Sequence, residues 1–299
     1  MKILVTGALG QLGTDVIREL AGRGDTVIGT DVRPEAEGLP ENVIYRKMDI
    51  TDAEETEQVL LASNPEAVIH CAAWTAVDAA EEPENREKVM AVNAVGTRNI
   101  AAVCAQLDVR LMYISTDYVF GGDGTRPWDP DSKSFAPLNF YGVTKLDGEM
   151  SVSAMLTKYF IVRIAWVFGP SGKNFVRTML SLSENHKELR VVNDQIGTPT
   201  YTPDLARLLA DMIRTGKYGF YHATNEGGFI SWYDFAVEIF RQAGKDVRVV
   251  PVSTEEYGES IAKRPRNSRL NKIKLYENGF TLLPDWEDAL SRYLKETGA

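Results

Sequence analysis

Cysteine is almost absent. Cys71 and Cys104 are the only two in 299 residues, too few for a disulfide framework, and they are expected to pack as small hydrophobes in a reduced compartment. Histidine is nearly as scarce. His70, His186 and His222 are scattered, and without a Cys/His cluster a structural zinc site is not expected. No apolar run approaches the roughly 18 residues of a membrane span. Met1-Lys2 leads straight into strand-like Ile3-Leu4-Val5, so no signal peptide is expected either. Positive charge is not in excess. The net charge of −9 argues against a nucleic-acid surface or an anionic membrane, and any anionic ligand would need locally placed positive groups. These absences leave the expectation of a soluble, cytoplasmic, globular chain. Its 44% hydrophobic and 25% charged residues suit one large domain or two closely joined ones. There is no internal repeat or low-complexity linker.

What is present starts at the N-terminus. Lys2–Thr6 is a short apolar run, followed by Gly7-Ala8-Leu9-Gly10-Gln11-Leu12-Gly13. Leu12, Val16, Ile17 and Leu20 then recur at helical spacing up to Gly22. Thr26–Thr30 is strand-like and ends at Asp31. Strand, glycine loop, helix, strand and acid make one βαβ unit. In that setting Gly7 allows a tight turn, Gly10 lets the backbone approach a pyrophosphate, and Gly13 lets helix and strand pack closely. The helix N-terminus then faces the phosphates. Asp31 is placed for the adenosine ribose hydroxyls, or it simply starts a surface loop.

Further strands are expected at Val43–Met48, Ala67–Cys71, Leu111–Ile114 and Phe160–Ile164. Between them lie helices: one opened by a Thr51/Glu54 capping box, and a long one after Pro83. This alternation predicts an α/β fold with a doubly wound parallel sheet. In such sheets ligands sit beyond the carboxyl ends of the strands. The glycine loop, Asp31, the small Ala72-Ala73 turn and Ser115-Thr116 all fall there. A glycine-, proline- and aspartate-rich loop, Gly121–Pro137, is long enough to serve binding. Past Ile164 the pattern changes to shorter pieces. The division expected is residues 1–165 plus about 196–223 for a dinucleotide, and about 166–195 with 224–299 for a second, smaller α/β domain. A basic cluster, Lys263-Arg264-Pro265-Arg266 with Arg269, reads either as a solvated face or as local positive charge for a diphosphate.

Tyr141-Gly142-Val143-Thr144-Lys145 places a phenol and an ammonium four residues apart. On a helix both lie on one face. The bland reading is a core tyrosine beside a solvated lysine. The functional one is a proton-transfer pair, in which the lysine favours the phenolate and draws a pKa of ~10 toward neutrality.

Taken together, these residues resemble an extended short-chain dehydrogenase/reductase acting on a nucleotide sugar, with a Rossmann-type sheet. Within that family the likeness is to the dTDP-4-dehydrorhamnose reductases. It is carried by Thr6–Gly13, Cys71–Asp78, Ser115–Phe120, Pro137–Glu149, Arg163–Phe168, Asn174–Leu180, Asp194–Thr200 and Arg264–Ser268. The resemblance implies a catalytic trio of Thr116, Tyr141 and Lys145. It implies that Gly7, Gly10, Gln11, Leu12 and Gly13 hold the cofactor pyrophosphate, with Asp31, Asp49 and Ile50 at the adenosine end. Ala72 and Ala73 would flank the nicotinamide, near Tyr141 and Lys145. Trp166 would pack against the sugar, with Thr75, Asp117 and Tyr118 also on the substrate side. Asn174, Gln195 and Arg264 would reach the nucleotide diphosphate.

The implied reaction is reduction of the 4-keto group of dTDP-4-dehydro-L-rhamnose by NADPH or NADH, as the last step of dTDP-rhamnose biosynthesis. Tyr141 would protonate the alkoxide, Lys145 would tune that phenol, and Thr116 would orient the carbonyl. Arg33, two positions after Asp31, keeps the choice of cofactor open. Some members carry magnesium between acids at a dimer contact; no metal site is predicted here, and a homodimer is left open as one possible assembly. Competing readings are a reductase or epimerase of another 4-keto nucleotide sugar, and a non-catalytic regulatory subunit like that of methionine adenosyltransferase. A dehydratase is disfavoured, because Asp117 is followed by Tyr118 where such enzymes have a second acid.

Overall fold

The computed structural model describes residues 1–36, 38–258 and 260–299. The first half alternates as expected: β1 (Lys2–Thr6), α1 (Gln11–Gly22), β2 (Thr26–Asp31), β3 (Ile44–Lys47), α2 (Ala53–Ser63), β4 (Ala67–His70), α3 (Pro83–Met90), α4 (Thr97–Gln106), β5 (Arg110–Thr116), α5 (Phe140–Met155) and β6 (Tyr159–Ile164). The second half is built from shorter pairs. β7 (Val167–Phe168) lies parallel to β10 (Thr200–Tyr201), and β8 (Glu188–Val192) parallel to β14 (Arg248–Val252). β9 (Ile196–Gly197) is antiparallel to β13 (Ile230–Ser231), and β12 (Asn225–Glu226) is parallel to β15 (Leu283–Asp285). Helices α6 (Phe175–Ser183), α7 (Thr202–Met212), α8 (Trp232–Gln242) and α11 (Trp286–Thr297) run between them, with short α9 (Thr254–Tyr257) and α10 (Ile273–Glu277). Strand β11 (Gly219–His222) returns to the main sheet, whose order is β11-β6-β5-β4-β1-β2-β3, all parallel.

Helices cover both faces of this sheet, which is why its central strands read as continuous apolar runs. The side chains still alternate. Ile3, Val5, Met112 and Ile114 join the α1 and α7 layer. Leu4, Leu111 and Tyr113 join the layer of Leu60, Ile100 and Val152 from α2, α4 and α5. A separate aromatic core in the second half gathers Phe168, Tyr201, Phe235, Trp286 and Tyr293. Each such ring withdrawn from water contributes about 1.5–3 kcal/mol. Leu275, Phe280 and Leu283 instead pack with the sheet-side core. Among the described residues no helix is long and apolar enough to cross a membrane.

Three local expectations change. Helix α2 is capped by Asp52, which accepts from Glu55 N, while Thr51 bonds Asp49 at 2.9 and 2.8 Å in a turn before it. The long helix after Pro83 contains a wider, π-helical turn at Ala91–Gly96. Such turns cluster at functional sites, because the extra residue re-aims its neighbours. The basic cluster does not form one patch: Arg264 pairs with Asp78, Arg266 with Glu255, and Arg269 with the Asn267 side chain.

Candidate active site

The order reverses between β1 and β4, and a crevice opens beyond their carboxyl ends. Gly7 has φ +65°, and a Cβ there would lie 2.7 Å from Ala72 N. At Gly13 a Cβ would lie 2.0 Å from the Gly7 carbonyl oxygen. The loop is thus drawn tight against the turn after β4, and only hydrogen fits at either position. Gly10 brings no capping side chain to α1, so the N–H groups of the first turn are left for an anion. Leu12 is buried beneath the loop, and the Gln11 amide reaches the Gly169–Lys173 segment. A cleft of about 500 Å³ runs from here, lined by Gly7, Asp31, Asp49, Ile50, Ala72 and Ala73 among others. The Asp31 carboxylate closes its far end, accepting from Leu9 N at 3.2 Å and Arg33 Nε at 3.3 Å. A glycine cradle that a single methyl would fill, an uncapped helix start and an acid at the β2 end fit a dinucleotide.

At the other end stands α5. Asn139 caps it by accepting from Gly142 N at 2.8 Å. A Cβ at Gly142 would sit 2.4 Å from the Tyr118 carbonyl oxygen, so the helix start lies directly on the segment after β5. This contact brings Thr116, Asp117, Tyr118, Tyr141 and Lys145 together. The Tyr141 and Tyr118 rings meet edge to face at 5.8 Å, and the Thr116 hydroxyl lies near the Tyr141 phenol. Burial pushes that phenol well above the usual tyrosine range, the Asp117 charge adds to the rise, and the nearby Thr116 hydroxyl offsets part of it.

The expected lysine effect is not found in this geometry. The Lys145 ammonium donates to the Ile114 carbonyl at 2.8 Å and lies 4.1 Å from the Tyr113 ring centroid, instead of against Tyr141. Burial brings it down to about 7, with Glu149, one turn further along α5, partly opposing. Asp117 is 3% exposed. Burial moves it up to about 6; Thr116 donates to its Oδ1 at 3.0 Å, and its Oδ2 has no hydrogen-bond partner in spite of the Ser268 hydroxyl nearby.

Trp166 adopts φ +51°, unusual for a bulky residue, and stacks on Trp232 at 3.7 Å. Arg264 meets Asp78 through two nitrogens at 2.6 and 3.1 Å and lies near Tyr118, which puts it at the edge of the tyrosine pair. Other expected substrate residues lie apart from this centre. Asn174 caps α6, accepting from Arg177 N and donating to the Gly169 carbonyl, beside a separate hollow of about 240 Å³. Gln195 donates to Thr254 at 3.2 Å. Thr75 is exposed.

A family model described as "RmlD substrate binding domain" matches residues 1–298. The chain belongs to that family. A dTDP-4-dehydrorhamnose reductase from Clostridium acetobutylicum is 41% identical, with a TM-score of 0.91 and 100% of both chains covered. One from Bacillus anthracis, solved in complex with NADP, is 40% identical, with a TM-score of 0.90 and 99% of each chain covered. The dTDP-4-keto-6-deoxy-D-glucose reductase of Streptomyces niveus is 37% identical over 97% of this chain and 95% of that protein.

Beyond the residues read from sequence, this RmlD-type cleft holds several more. Lys88 and Trp74 line it, with the ammonium 5.7 Å from the indole centroid. Asn93, fully buried in the π-helical turn, accepts from Trp74 N at 2.8 Å and donates to Trp74 O and to Thr144. A polar residue set among Val92, Ala94 and Val95 was the sequence signal for Asn93. Asp78 had no local signal, because its partner Arg264 is 186 residues away.

Proposed function

We propose that this chain is an NAD(P)H-dependent reductase of a 4-keto nucleotide sugar, with dTDP-4-dehydro-L-rhamnose as the substrate and dTDP-L-rhamnose as the product. The observation that carries the reading is the contact of the β5 end with the start of α5. It sets Thr116 against the Tyr141 phenol beside a cleft shaped for a dinucleotide. NAD(P)H bound there supplies the hydride.

The chain's own residues do the rest. Burial keeps Tyr141 in its protonated form, which is the form a reduction consumes, and its phenol gives that proton to the developing alkoxide. Thr116 holds the carbonyl oxygen in place by hydrogen bonding. Lys145, anchored on the Ile114 carbonyl, would hold the nicotinamide ribose. Gly7, Gly10, Gln11, Leu12 and Gly13 take the pyrophosphate. Asp31, Asp49 and Ile50 take the adenosine, with Arg33 beside Asp31 available to a 2′-phosphate. Trp166, braced by Trp232, offers its free face to the sugar, and Asp117, Tyr118 and Arg264 bind substrate around it. In this proposal residues 1–165 with about 196–223 serve the cofactor and the remainder the nucleotide sugar. The active form is a cytoplasmic homodimer, which light scattering in solution would check.

The test is a panel of 4-keto nucleotide sugars with NADPH and NADH in parallel, followed by cofactor absorbance and product analysis. Stoichiometric oxidation with dTDP-4-dehydro-L-rhamnose supports the reading, and no oxidation with any panel member removes it. The name of the Streptomyces niveus relative keeps dTDP-4-keto-6-deoxy-D-glucose as the second substrate in that panel. An epimerase would turn substrate over without net cofactor consumption. A regulatory subunit would instead recover a stoichiometric synthetase partner and show no turnover.

A further inference from the structure

His70 takes no part in the chemistry above, yet it is 1% exposed and bonded at both ring nitrogens beneath the cofactor cleft. It ends β4, two residues before Ala72. Nδ1 meets the Thr6 hydroxyl at 2.6 Å, and Nε2 meets the Thr97 hydroxyl at 3.1 Å. Each hydroxyl has one proton to give, and this fixes the directions. Thr97 donates its proton to the Asn93 carbonyl at 2.7 Å. Toward His70 it can therefore only accept, and the imidazole proton is on Nε2. Nδ1 is then the acceptor, so Thr6 donates to it. The same Thr6 oxygen accepts from Ala72 N at 3.2 Å.

The result is a one-way chain. Ala72 N–H donates to Thr6, Thr6 to His70, His70 to Thr97, and Thr97 to the Asn93 backbone. From Asn93 it continues through the side chain, which donates to Thr144 at 3.1 Å, and Thr144 donates to the Tyr141 carbonyl at 2.9 Å. It starts at the turn that flanks the cofactor and ends on the first turn of α5. Ala72 is also the residue against which Gly7 packs without room for a Cβ. The charged and titratable groups facing His70 are Lys145 from α5 and Tyr113 from β5, whose ring stacks at 5.6 Å, with Cys71 adjacent in the chain. Burial and the Lys145 charge bring the imidazole down to about 3.

We propose that His70, held as the Nε2–H tautomer, is a positioning residue that sets the turn Cys71–Trp74 relative to the catalytic helix and so the distance between the reduced nicotinamide and Tyr141. This rests on the reductase reading, but its tests separate from it.

Nitrogen-15 NMR of the histidines in the full chain reads the tautomer with no substrate present. The expected result is an Nε2–H ring that stays neutral from pH 5 to 9, with only the small shift that loss of the Lys145 charge near pH 7 induces. An Nδ1–H ring, or protonation of the imidazole within that range, overturns the proposal. His70→Phe keeps the ring stack and removes both bonds, whereas His70→Gln retains one acceptor and one donor. With the panel substrate, His70→Phe should lose roughly 10- to 100-fold in turnover, with an unchanged pH profile, and His70→Gln should recover most of it. Equal loss in both variants, or wild-type turnover in His70→Phe, overturns the proposal. Should His70→Phe fail to fold, Thr97→Val breaks the chain one link along and should show the same loss. If the wild-type chain turns over no substrate, the reductase reading fails, and the tautomer result still stands or falls by itself.

Discussion

The two ends of the cleft are stabilised in opposite ways. At the glycine-loop end the ligand-facing groups are backbone N–H groups and a partly exposed carboxylate with ordinary partners, and the shape is enforced by two glycines. At the Tyr141 end the groups are side chains that burial pushes toward their uncharged forms: Tyr141 pushed up, Lys145 brought down to about 7, and Asp117 raised to about 6. The first end is complete before any ligand arrives. The second carries a standing electrostatic cost that a bound anionic cofactor and a polar substrate would relieve. A stability–activity conflict should therefore be confined to the second end.

The largest effect should come at the catalytic end. Tyr141→Phe removes the proton donor and little else, so turnover should fall about 10²- to 10⁴-fold with the cofactor dissociation constant unchanged. Stopped-flow absorbance and calorimetry read the two quantities, and a loss of cofactor binding of the same size would merge the two ends into one. Gly7→Ala acts on the other end. Its left-handed backbone alone costs about 1–2 kcal/mol, and the contact with Ala72 adds to that. Cofactor affinity should drop by roughly tenfold or more, with no change in the pH profile of the residual activity.

Asp117→Asn gives the smallest effect on turnover and the sharpest contrast. The folded-state pKa of about 6 lies above the ordinary 3.8, so the folded protein holds the proton more tightly and stability falls as pH rises through that window. Replacing the acid by an amide should therefore stabilise the chain above pH 6, by up to about 3 kcal/mol. The gain should vanish below pH 4, while turnover drops. Melting temperatures across pH 3.5–8 decide it: destabilisation at neutral pH would show that Asp117 is a satisfied ion rather than a strained one.

The contrast also explains what sequence could foretell. The glycine loop, β2 and Asp31 lie within 31 residues, and local spacing encodes their geometry, so the cofactor end was legible. The Tyr141–Lys145 spacing was legible as a helix face too. The electrostatics of the pair were not. They depend on Ile114 and Tyr113 arriving from β5 to receive the ammonium, and on Asp117 being sealed from water by Ser268 and its neighbours. The basic cluster was open between a solvated face and charge for a diphosphate, and sequence could not show that its carboxylate partners are spread over Asp78, Asp194 and Glu255.

Strand β11 sets a timing problem for synthesis. It is the edge partner of β6 but is made 59 residues later, from Gly219↔Phe160 in the register. Until it emerges from the ribosome, β6 presents a row of unpaired N–H and C=O groups on Phe160–Arg163, a mostly apolar edge open to another chain. During synthesis the exposed species should thus be a six-stranded sheet with an open β6 edge. A chain truncated before Gly219 would be expected to aggregate where the full chain does not, and equal solubility of the two by light scattering would count against it.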